Sequence, residues 1–248
     1  MTDVIVLCYH AVSPGWPSPW AVTPEQLEGD LRHLLERGYR AERFLDAVAQ
    51  PRGRRTVAVT FDDAYRSVLE VARPVLAQLG VPGTVFVPTD PVDSGSEMRW
   101  GTLERWMGTP HEHELAPMGW DELALLAAEG WEIGSHTRSH PRLAALPDAD
   151  LKNELSGSRE RCEERLNIPC RTLAYPHGDA DARVADAAGA AGYYAAGTIG
   201  RWSRRAPALC WPRLMRLRGD DDSRFRRRLS PGRRRVRASR VWALAGRS

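Results

Sequence analysis

The stretch Arg55-Thr56-Val57-Ala58-Val59-Thr60-Phe61-Asp62-Asp63 ends an apolar, β-branched run with two adjacent carboxylates. Such a run predicts a buried strand from Arg55 to Phe61, because β-branched side chains suit a pleated, buried surface. The aspartates then follow the carboxyl end of the strand, where successive side chains point in different directions. One carboxylate can therefore bind a cation while the other faces a water. Taken alone, the pair could equally cap a helix predicted over 64–79.

A second polar cluster follows another short predicted strand, 131–135. There, Ser135-His136-Thr137-Arg138-Ser139-His140 places two histidines four residues apart. We predict that this spacing brings both imidazoles onto one face of a helical turn. Alone, surface histidines, or a helix cap with a solvated neighbour, explain such a pair more often than a metal does. Together with Asp62 and Asp63, it predicts a divalent metal held by nitrogen and oxygen, with one carboxylate left over as a base.

Predicted strands and helices alternate along the chain. A capping box from Thr23 to Gln26 opens a helix that ends by Gly38. Further helices are predicted over 120–130, 151–166 and 180–191, and further strands over 3–9, 81–87, 172–174 and 193–199. Repeated strand–helix units predict an α/β domain around a parallel sheet, closed or open. Polar residues at strand ends, among them His10 and Tyr175, would then meet on one face.

Three motifs carry a resemblance to a known family. They are Thr60-Phe61-Asp62-Asp63, the His136 and His140 run, and Tyr175-Pro176-His177-Gly178. In this order they resemble the motifs of the polysaccharide deacetylase family, carbohydrate esterase family 4, and the resemblance covers roughly residues 4–217. It implies a distorted (β/α) barrel and an enzyme that removes N-acetyl groups from amino sugars with zinc or another divalent ion.

The resemblance also implies roles for individual residues. Asp62 resembles the general base of the family. Asp63, His136 and His140 resemble its three metal ligands. Tyr175 matches the position whose backbone N–H helps to stabilise the oxyanion.

The chain departs from the family pattern at two positions. Ala174 stands where the third motif carries an arginine that braces the base, and Leu214-Met215-Arg216 lacks the histidine of the fifth motif. Leu7-Cys8-Tyr9-His10 resembles the Tyr-His pair on the first strand of one branch of the family, which includes poly-N-acetylglucosamine deacetylases. We therefore predict that His10 is the general acid and that Arg213 replaces the missing arginine.

Two loops with tryptophans are candidates for substrate contact. One spans 13–20, just after His10, and the other spans 90–118; loops this long in a compact domain are often lids or binding loops. Their indole rings can stack on sugar rings, but they can equally pack the loops onto the barrel. The predicted substrate-binding residues are Trp16, Trp100, Trp106, Pro176 and His177.

The carboxyl-terminal part of the chain is strongly basic. The whole chain holds 35 basic and 32 acidic residues, whereas residues 213–248 hold 13 arginines and 3 aspartates. We predict a catalytic barrel over 1–217 and an arginine-rich tail over 218–248. The tail could contact an anionic membrane surface peripherally or stay solvated. Nucleic acid is the least favoured partner.

Apolar runs and cysteine spacing exclude some protein classes. No run of 18 apolar residues is present, which excludes a spanning helix, and the run Val4 to Cys8 is too short for a secretory signal. We therefore expect a cytoplasmic protein, with the inner membrane surface as an option. The four cysteines form no Cys-x-x-Cys motif, which favours buried free thiols.

The predicted function is that of a metal-dependent hydrolase. It would remove an N-acetyl group from an amino sugar, or from a glycan or glycoconjugate that contains N-acetylglucosamine, and this sugar is the expected partner. Zinc is the expected metal, and cobalt, nickel or manganese would accept the same ligands. Two alternatives stay open: a deformylase or other small-molecule amidase of the same fold, and a glycan-binding protein without catalysis.

Overall fold

The computed structural model describes residues 3–199 and 207–230 of the chain. The strands are β1 (Asp3–Tyr9), β2 (Ala11–Val12), β3 (Ala21–Val22), β4 (Arg40–Ala41), β5 (Arg55–Phe61), β6 (Gly83–Val87), β7 (Glu132–Ser135), β8 (Thr172–Ala174), β9 (Ala195–Ile199) and β10 (Trp211–Met215). The helices are α1 (Pro24–Leu35), α2 (Phe44–Ala49), α3 (Arg73–Leu79), α4 (Thr89–Ser94), α5 (Trp120–Ala128), α6 (Asp148–Leu166), α7 (Ala182–Ala190) and α8 (Asp222–Leu229).

Seven parallel strands close into a barrel. Their order around the ring is β1-β10-β9-β8-β7-β6-β5, and β5 pairs again with β1. The closing pair is in register along its whole length, from Asp3 opposite Arg55 to Tyr9 opposite Phe61. Strand β4 pairs with the first half of β5 outside the ring, and β2 and β3 form a separate small sheet. The predicted α/β barrel is confirmed.

Helix α2 fills the amino end of the barrel. It contacts the neighbouring strands β1 and β5 and, two strands further around the ring, β9. Its Phe44 packs edge-to-face on Phe86 of β6 with the ring centroids 5.5 Å apart, and both side chains are fully buried. Because all seven strands of the ring are parallel, the polar residues that follow them gather at the opposite, carboxyl end, as in other barrels of this kind.

The chain between β5 and β6 differs from the continuous helix predicted over 64–79. Residues 62–65 form a tight turn, residues 66–67 begin the helix, Val68–Ala72 form a π-helical turn, and α3 continues from Arg73. Asp63 and Ala64 have φ angles of 70° and 54°. An α-helix requires negative φ, so none can begin at Ala64. Helix capping therefore does not explain the aspartate pair.

The first part of the basic segment packs against the barrel. Helix α8 lies on α1, and its Phe225 and Leu229 are buried. Just before α8, Arg216 pairs with Asp30 of α1, with Nε 3.1 Å from Oδ2 and both side chains fully buried. The packed structure thus continues past the predicted boundary at residue 217. The rest of the predicted tail, 231–248, lies outside the described residues.

Helix length and cysteine burial are two further features of the fold. Across residues 3–199 and 207–230, no helix is long and apolar enough to cross a membrane. All four cysteines are free thiols, and Cys8, Cys162 and Cys170 are buried, as predicted. Cys210 is partly exposed.

Candidate active site

The two aspartates after β5 face different partners, and both side chains are buried. The backbone N–H of Asp62 extends the sheet by donating to the carbonyl oxygen of Tyr9 at 3.0 Å. The left-handed backbone of Asp63 and Ala64 then turns the chain sharply. As a result, Asp62 meets Arg213 and Asp63 meets two histidines.

His136 and His140 follow β7 on a loop. The predicted helical face is wrong, because Thr137 and His140 have φ angles of 68° and 62°, outside the helical region. Side chains hold the loop instead. Ser135 Oγ accepts from the N–H of Thr137 at 3.0 Å, and Thr137 Oγ1 accepts from the N–H of His140 at 3.2 Å. Both imidazoles still reach Asp63.

Asp63, His136 and His140 form one buried cluster, with a possible ligand atom from each within 4.8 Å of the others. The Nε2 atoms of His136 and His140 lie 3.5 and 3.6 Å from Oδ1 of Asp63. Nδ1 of His136 donates to the carbonyl oxygen of Ala174 at 2.7 Å, which leaves a lone pair on the Nε2 that faces Asp63. Oδ1 of Asp63 has no hydrogen-bond partner among the described residues.

The electrostatics of this cluster fit a divalent cation. Burial raises the pKa of Asp63, and the neighbouring charge of Asp62 raises it further. Burial also lowers the pKa of His136 and of His140, so both imidazoles are neutral. Two neutral imidazoles and a carboxylate are a donor set that zinc and similar ions bind. Such an ion would supply the positive charge that the buried carboxylate of Asp63 lacks.

Backbone strain is concentrated at the same place. Among the described residues, six that are not glycine have positive φ. Five of them belong to loops of the site: Asp63, Ala64, Thr137, His140 and His177. Each such conformation costs about 1–3 kcal/mol. The surrounding barrel must therefore hold these loops in place, which is typical of functional sites.

Arg213 of β10 forms a buried, bidentate ion pair with Asp62. Nη1 lies 2.6 Å from Oδ1 and Nη2 lies 2.8 Å from Oδ2, and Nη1 also donates to Thr60 Oγ1 at 3.2 Å. Burial raises the pKa of Asp62, but the charge and hydrogen bonds of Arg213 outweigh burial and hold that pKa well below its usual range. Arg213 thus reaches the carboxylate it was predicted to brace. Its part in catalysis stays a prediction.

Two residues not named as site residues from the sequence support this ion pair. The thiol of Cys8 donates to Oδ2 of Asp62 at 3.5 Å. Gly197 of β9 leaves room for the arginine, because a Cβ at this position would lie 2.6 Å from Cδ and Nε of Arg213. A glycine inside a predicted strand is a known sign of close approach, so this residue could have been found from the sequence.

His10 follows β1 and lines the pocket that contains the Asp–His–His cluster. Its ring centroid lies 5.0 Å from that of Trp20, and its buried Nδ1 has no hydrogen-bond partner among the described residues. Burial lowers the pKa of His10 to about 4, although the charge of Asp62 raises it. At neutral pH the imidazole is therefore uncharged before any reaction.

Tyr175 does not offer its backbone N–H to the pocket. That N–H donates to the carbonyl oxygen of Gly197 at 3.1 Å, and the phenol donates to the carbonyl oxygen of Leu209 at 2.9 Å. The predicted oxyanion role of Tyr175 is therefore wrong, because pairing with β9 uses the donor. His177 is the better candidate. It lines the pocket with φ at 60°, and within the described chain its backbone N–H has no acceptor.

Aromatic side chains form walls of the pocket, whose volume is about 280 Å³. Trp100 stacks on His140 with the ring centroids 4.6 Å apart and 14° between the planes. Trp20 lines the pocket from the other loop, and its indole N–H lies 3.4 Å from Thr102 Oγ1. Trp20 was missed as a site residue because nothing in the sequence separates it from its neighbour Trp16.

The other predicted substrate contacts lie outside the pocket lining. Trp16 is fully buried and packs against Tyr65 and Trp106, at centroid distances of 5.9 and 5.7 Å. Trp106 packs in turn against His111 at 5.6 Å. Pro176 is buried in the turn after β8. For these three residues the structure favours packing over substrate contact.

Comparisons with known proteins agree with this geometry. The sequence model of the polysaccharide deacetylase family matches residues 49–196, which is more than half of the chain. The chain belongs to the polysaccharide deacetylase family. A curated relative, "Putative polysaccharide deacetylase YxkH" of Bacillus subtilis (strain 168), is 25% identical over 194 residues, or 76% of this chain. The chain spans 61% of the length of that relative.

Solved structures of related proteins share the fold. The deacetylase PplD of Streptococcus pyogenes, in complex with acetate, is 19% identical with a TM-score of 0.72, and the match covers 93% of this chain and 98% of PplD. IcaB of Ammonifex degensii is 22% identical with a TM-score of 0.72, and the match covers 92% of this chain and 97% of IcaB. At such identities the likeness concerns the barrel fold.

Proposed function

We propose that this protein is a metal-dependent hydrolase that removes the N-acetyl group from an amino sugar, or from a glycan or glycoconjugate that contains N-acetylglucosamine. The observation that carries the proposal is the buried Asp63–His136–His140 cluster, with the separately braced carboxylate of Asp62 in the same pocket. A carboxylate that binds no metal, next to a metal site, is the arrangement that water activation requires.

Asp63, His136 and His140 would hold the metal. Zinc suits two imidazoles and one carboxylate best, and cobalt, nickel or manganese also accept this donor set. A bound ion supplies polarisation of the acyl carbonyl and a lower pKa for a nearby water. The protein contributes an imidazole, that of His136, whose Nε2 is already free of a proton where it faces Asp63, because its Nδ1 donates to Ala174.

Asp62 is the proposed general base. Arg213 keeps it ionised and fixes its orientation through two hydrogen bonds, so it can accept the proton of the attacking water. The backbone N–H of His177 is the proposed protein donor to the developing oxyanion. Such a donor needs no reorganisation during the reaction, because the strained turn already sets its direction.

His10 is the proposed acid for the departing nitrogen. Its pKa of about 4 means that the imidazole is uncharged at neutral pH before the reaction and carries a proton on only one nitrogen. A neutral imidazole can still accept a proton at one nitrogen and donate from the other. We therefore expect His10 to pass on a proton released during the reaction. This role would place the chain with the Tyr-His branch of the family.

The pocket suits a single sugar unit better than an internal stretch of polymer. Its walls include Trp20 and Trp100, and the contact between Trp20 and Thr102 joins the two loops at one side. Flat indole rings can stack on the apolar face of a sugar ring. We therefore propose that the protein acts on a free amino sugar or on the terminal unit of a glycan.

The glycan-binding alternative becomes less attractive once the site is assembled. Its support was the loss of the third-motif arginine, at Ala174, and of the fifth-motif histidine, yet Arg213 pairs with Asp62 and His10 lines the same pocket. The amidase alternative differs only in the acyl group. A cytoplasmic location and a peripheral membrane contact through residues 231–248 stay proposals, and a liposome pelleting assay with and without this segment tests the contact.

The deciding experiment measures acetate and formate release from N-acetylated and N-formylated amino sugars, with and without a chelator. We expect acetate release that a chelator abolishes and added metal restores. Asp62→Asn should lose roughly a hundredfold to ten-thousandfold in kcat while it still binds metal, because only the proton acceptor changes. Near-normal turnover in Asp62→Asn, or no release of acyl group from any sugar, would refute the proposal.

A further inference from the structure

Arg142 is an arginine in the wall of the pocket without an acidic partner. It lines the pocket two residues after His140 and is exposed. Within the described chain, no carboxylate lies within 4.0 Å of its guanidinium group. Residues 200–206 and 231–248 contain no aspartate or glutamate that could neutralise it. An arginine in a ligand pocket that the protein leaves unneutralised is available to a ligand.

The backbone that carries Arg142 is well anchored. The next side chain, Leu143, is fully buried. Arg183 of α7 donates to three carbonyl oxygens of the segment 143–146, at 3.4, 3.1 and 3.0 Å. The backbone that carries the guanidinium group is therefore fixed before a ligand binds. This limits the backbone entropy that is lost when a ligand pairs with Arg142.

The acidic groups of the pocket already have partners of their own. Asp62 and Asp63 are the two acids among the described lining residues. Asp62 is neutralised by Arg213, and Asp63 belongs to the metal cluster. With a divalent ion bound, the pocket therefore carries an excess of positive charge. A neutral sugar would make no use of that charge.

We propose that the pocket selects N-acylated amino sugars that carry an anionic substituent, a phosphate or a carboxylate, and that Arg142 pairs with this group. The inference rests on the proposed function and narrows its substrate class. The planar fork of arginine matches two oxygens of either anion. Because Arg142 is exposed, we expect a selectivity of roughly twofold to fivefold, which salt should reduce.

Binding to the metal-loaded full chain tests the inference directly. Ligand-observed NMR titrations would compare N-acetylglucosamine, N-acetylglucosamine 1-phosphate and N-acetylmuramic acid, at low and high salt. We expect at least one charged sugar to bind more tightly than the neutral one. Arg142→Gln should remove that preference, and Arg142→Lys should keep part of it. The control Arg99→Gln, at an exposed arginine paired with Glu97, should change nothing.

Each result separates the possibilities. Preference for the phosphate or for the carboxylate sugar identifies the source of the anion. Equal binding of all three sugars, or an equal loss for all three in Arg142→Gln, overturns the inference. The same spectra report any acetate that is released. If no acetate appears while Arg142-dependent binding persists, the proposed hydrolytic function fails and the charge selectivity stands.

Discussion

Replacing Arg213 with methionine should expose how strongly the barrel depends on one buried ion pair. The substitution keeps much of the side-chain volume but leaves Asp62 as a buried carboxylate without its counter-charge. Loss of one partner of a buried pair costs about 3–5 kcal/mol. We expect the free energy of unfolding to fall by that amount at neutral pH, measured by urea titration with tryptophan fluorescence.

The pH dependence gives this prediction a sharper form. The pKa of Asp62 is depressed in the folded protein, so the stability from the pair is present above the unfolded pKa of about 3.9 and is lost as the pH falls below it. The stability difference between wild type and Arg213→Met should therefore be largest at neutral pH. It should shrink as the pH falls through the raised pKa of Asp62 in the variant, and shrink further below the unfolded pKa of about 3.9. In the variant, burial should raise the pKa of Asp62, and the acidic limb of kcat/KM should move to higher pH.

A matched control is available on the surface. Arg161 makes a similar two-point contact with Asp93, at 2.8 and 3.0 Å, but both side chains are about one-third exposed. Arg161→Met should cost about 1 kcal/mol or less, because exposed pairs contribute little. Equal losses in the two variants, or a loss below about 1 kcal/mol for Arg213→Met, would refute the argument from burial.

Three further predictions follow from the same contacts. Gly197→Ala should displace Arg213 and lower both stability and kcat, and near-normal kcat would contradict the close approach seen here. His10 has a pKa of about 4 when folded, so unfolding should take up a proton and stability should fall as the pH drops from about 6.5 towards 4. His10→Gln should reduce the slope of that dependence in urea titrations across this range, and the remaining slope should come from His136 and His140. Phe225→Ala should cost about 3–5 kcal/mol if α8 belongs to the barrel, whereas an unchanged unfolding midpoint would mark α8 as a separate tail.

Local patterns in the sequence determined much of the scaffold. The bounds of β1 and β5 were predicted as observed, because continuous apolar, β-branched runs are buried on both faces of a strand in a closed parallel barrel. The capping box at Thr23 and Gln26 is formed in the structure, with Pro24 as the first residue of α1. Ordered motifs were enough to group Asp62, Asp63 and the two histidines, because strand ends of a parallel barrel meet on one face.

Tertiary structure alone decided how those residues act. A spacing of four predicted a helical turn for His136 and His140, but β7 ends in a loop whose left-handed residues are held by hydrogen bonds. The pairing of β8 with β9 engages the N–H of Tyr175 in a hydrogen bond to Gly197, so this donor cannot serve the pocket. Closure of the barrel brought Arg213 to Asp62 across 151 positions of sequence. Whether a segment forms a strand depends mainly on its own residues. Strained turns and buried ion pairs form only where packing with distant parts of the chain offsets their free-energy cost.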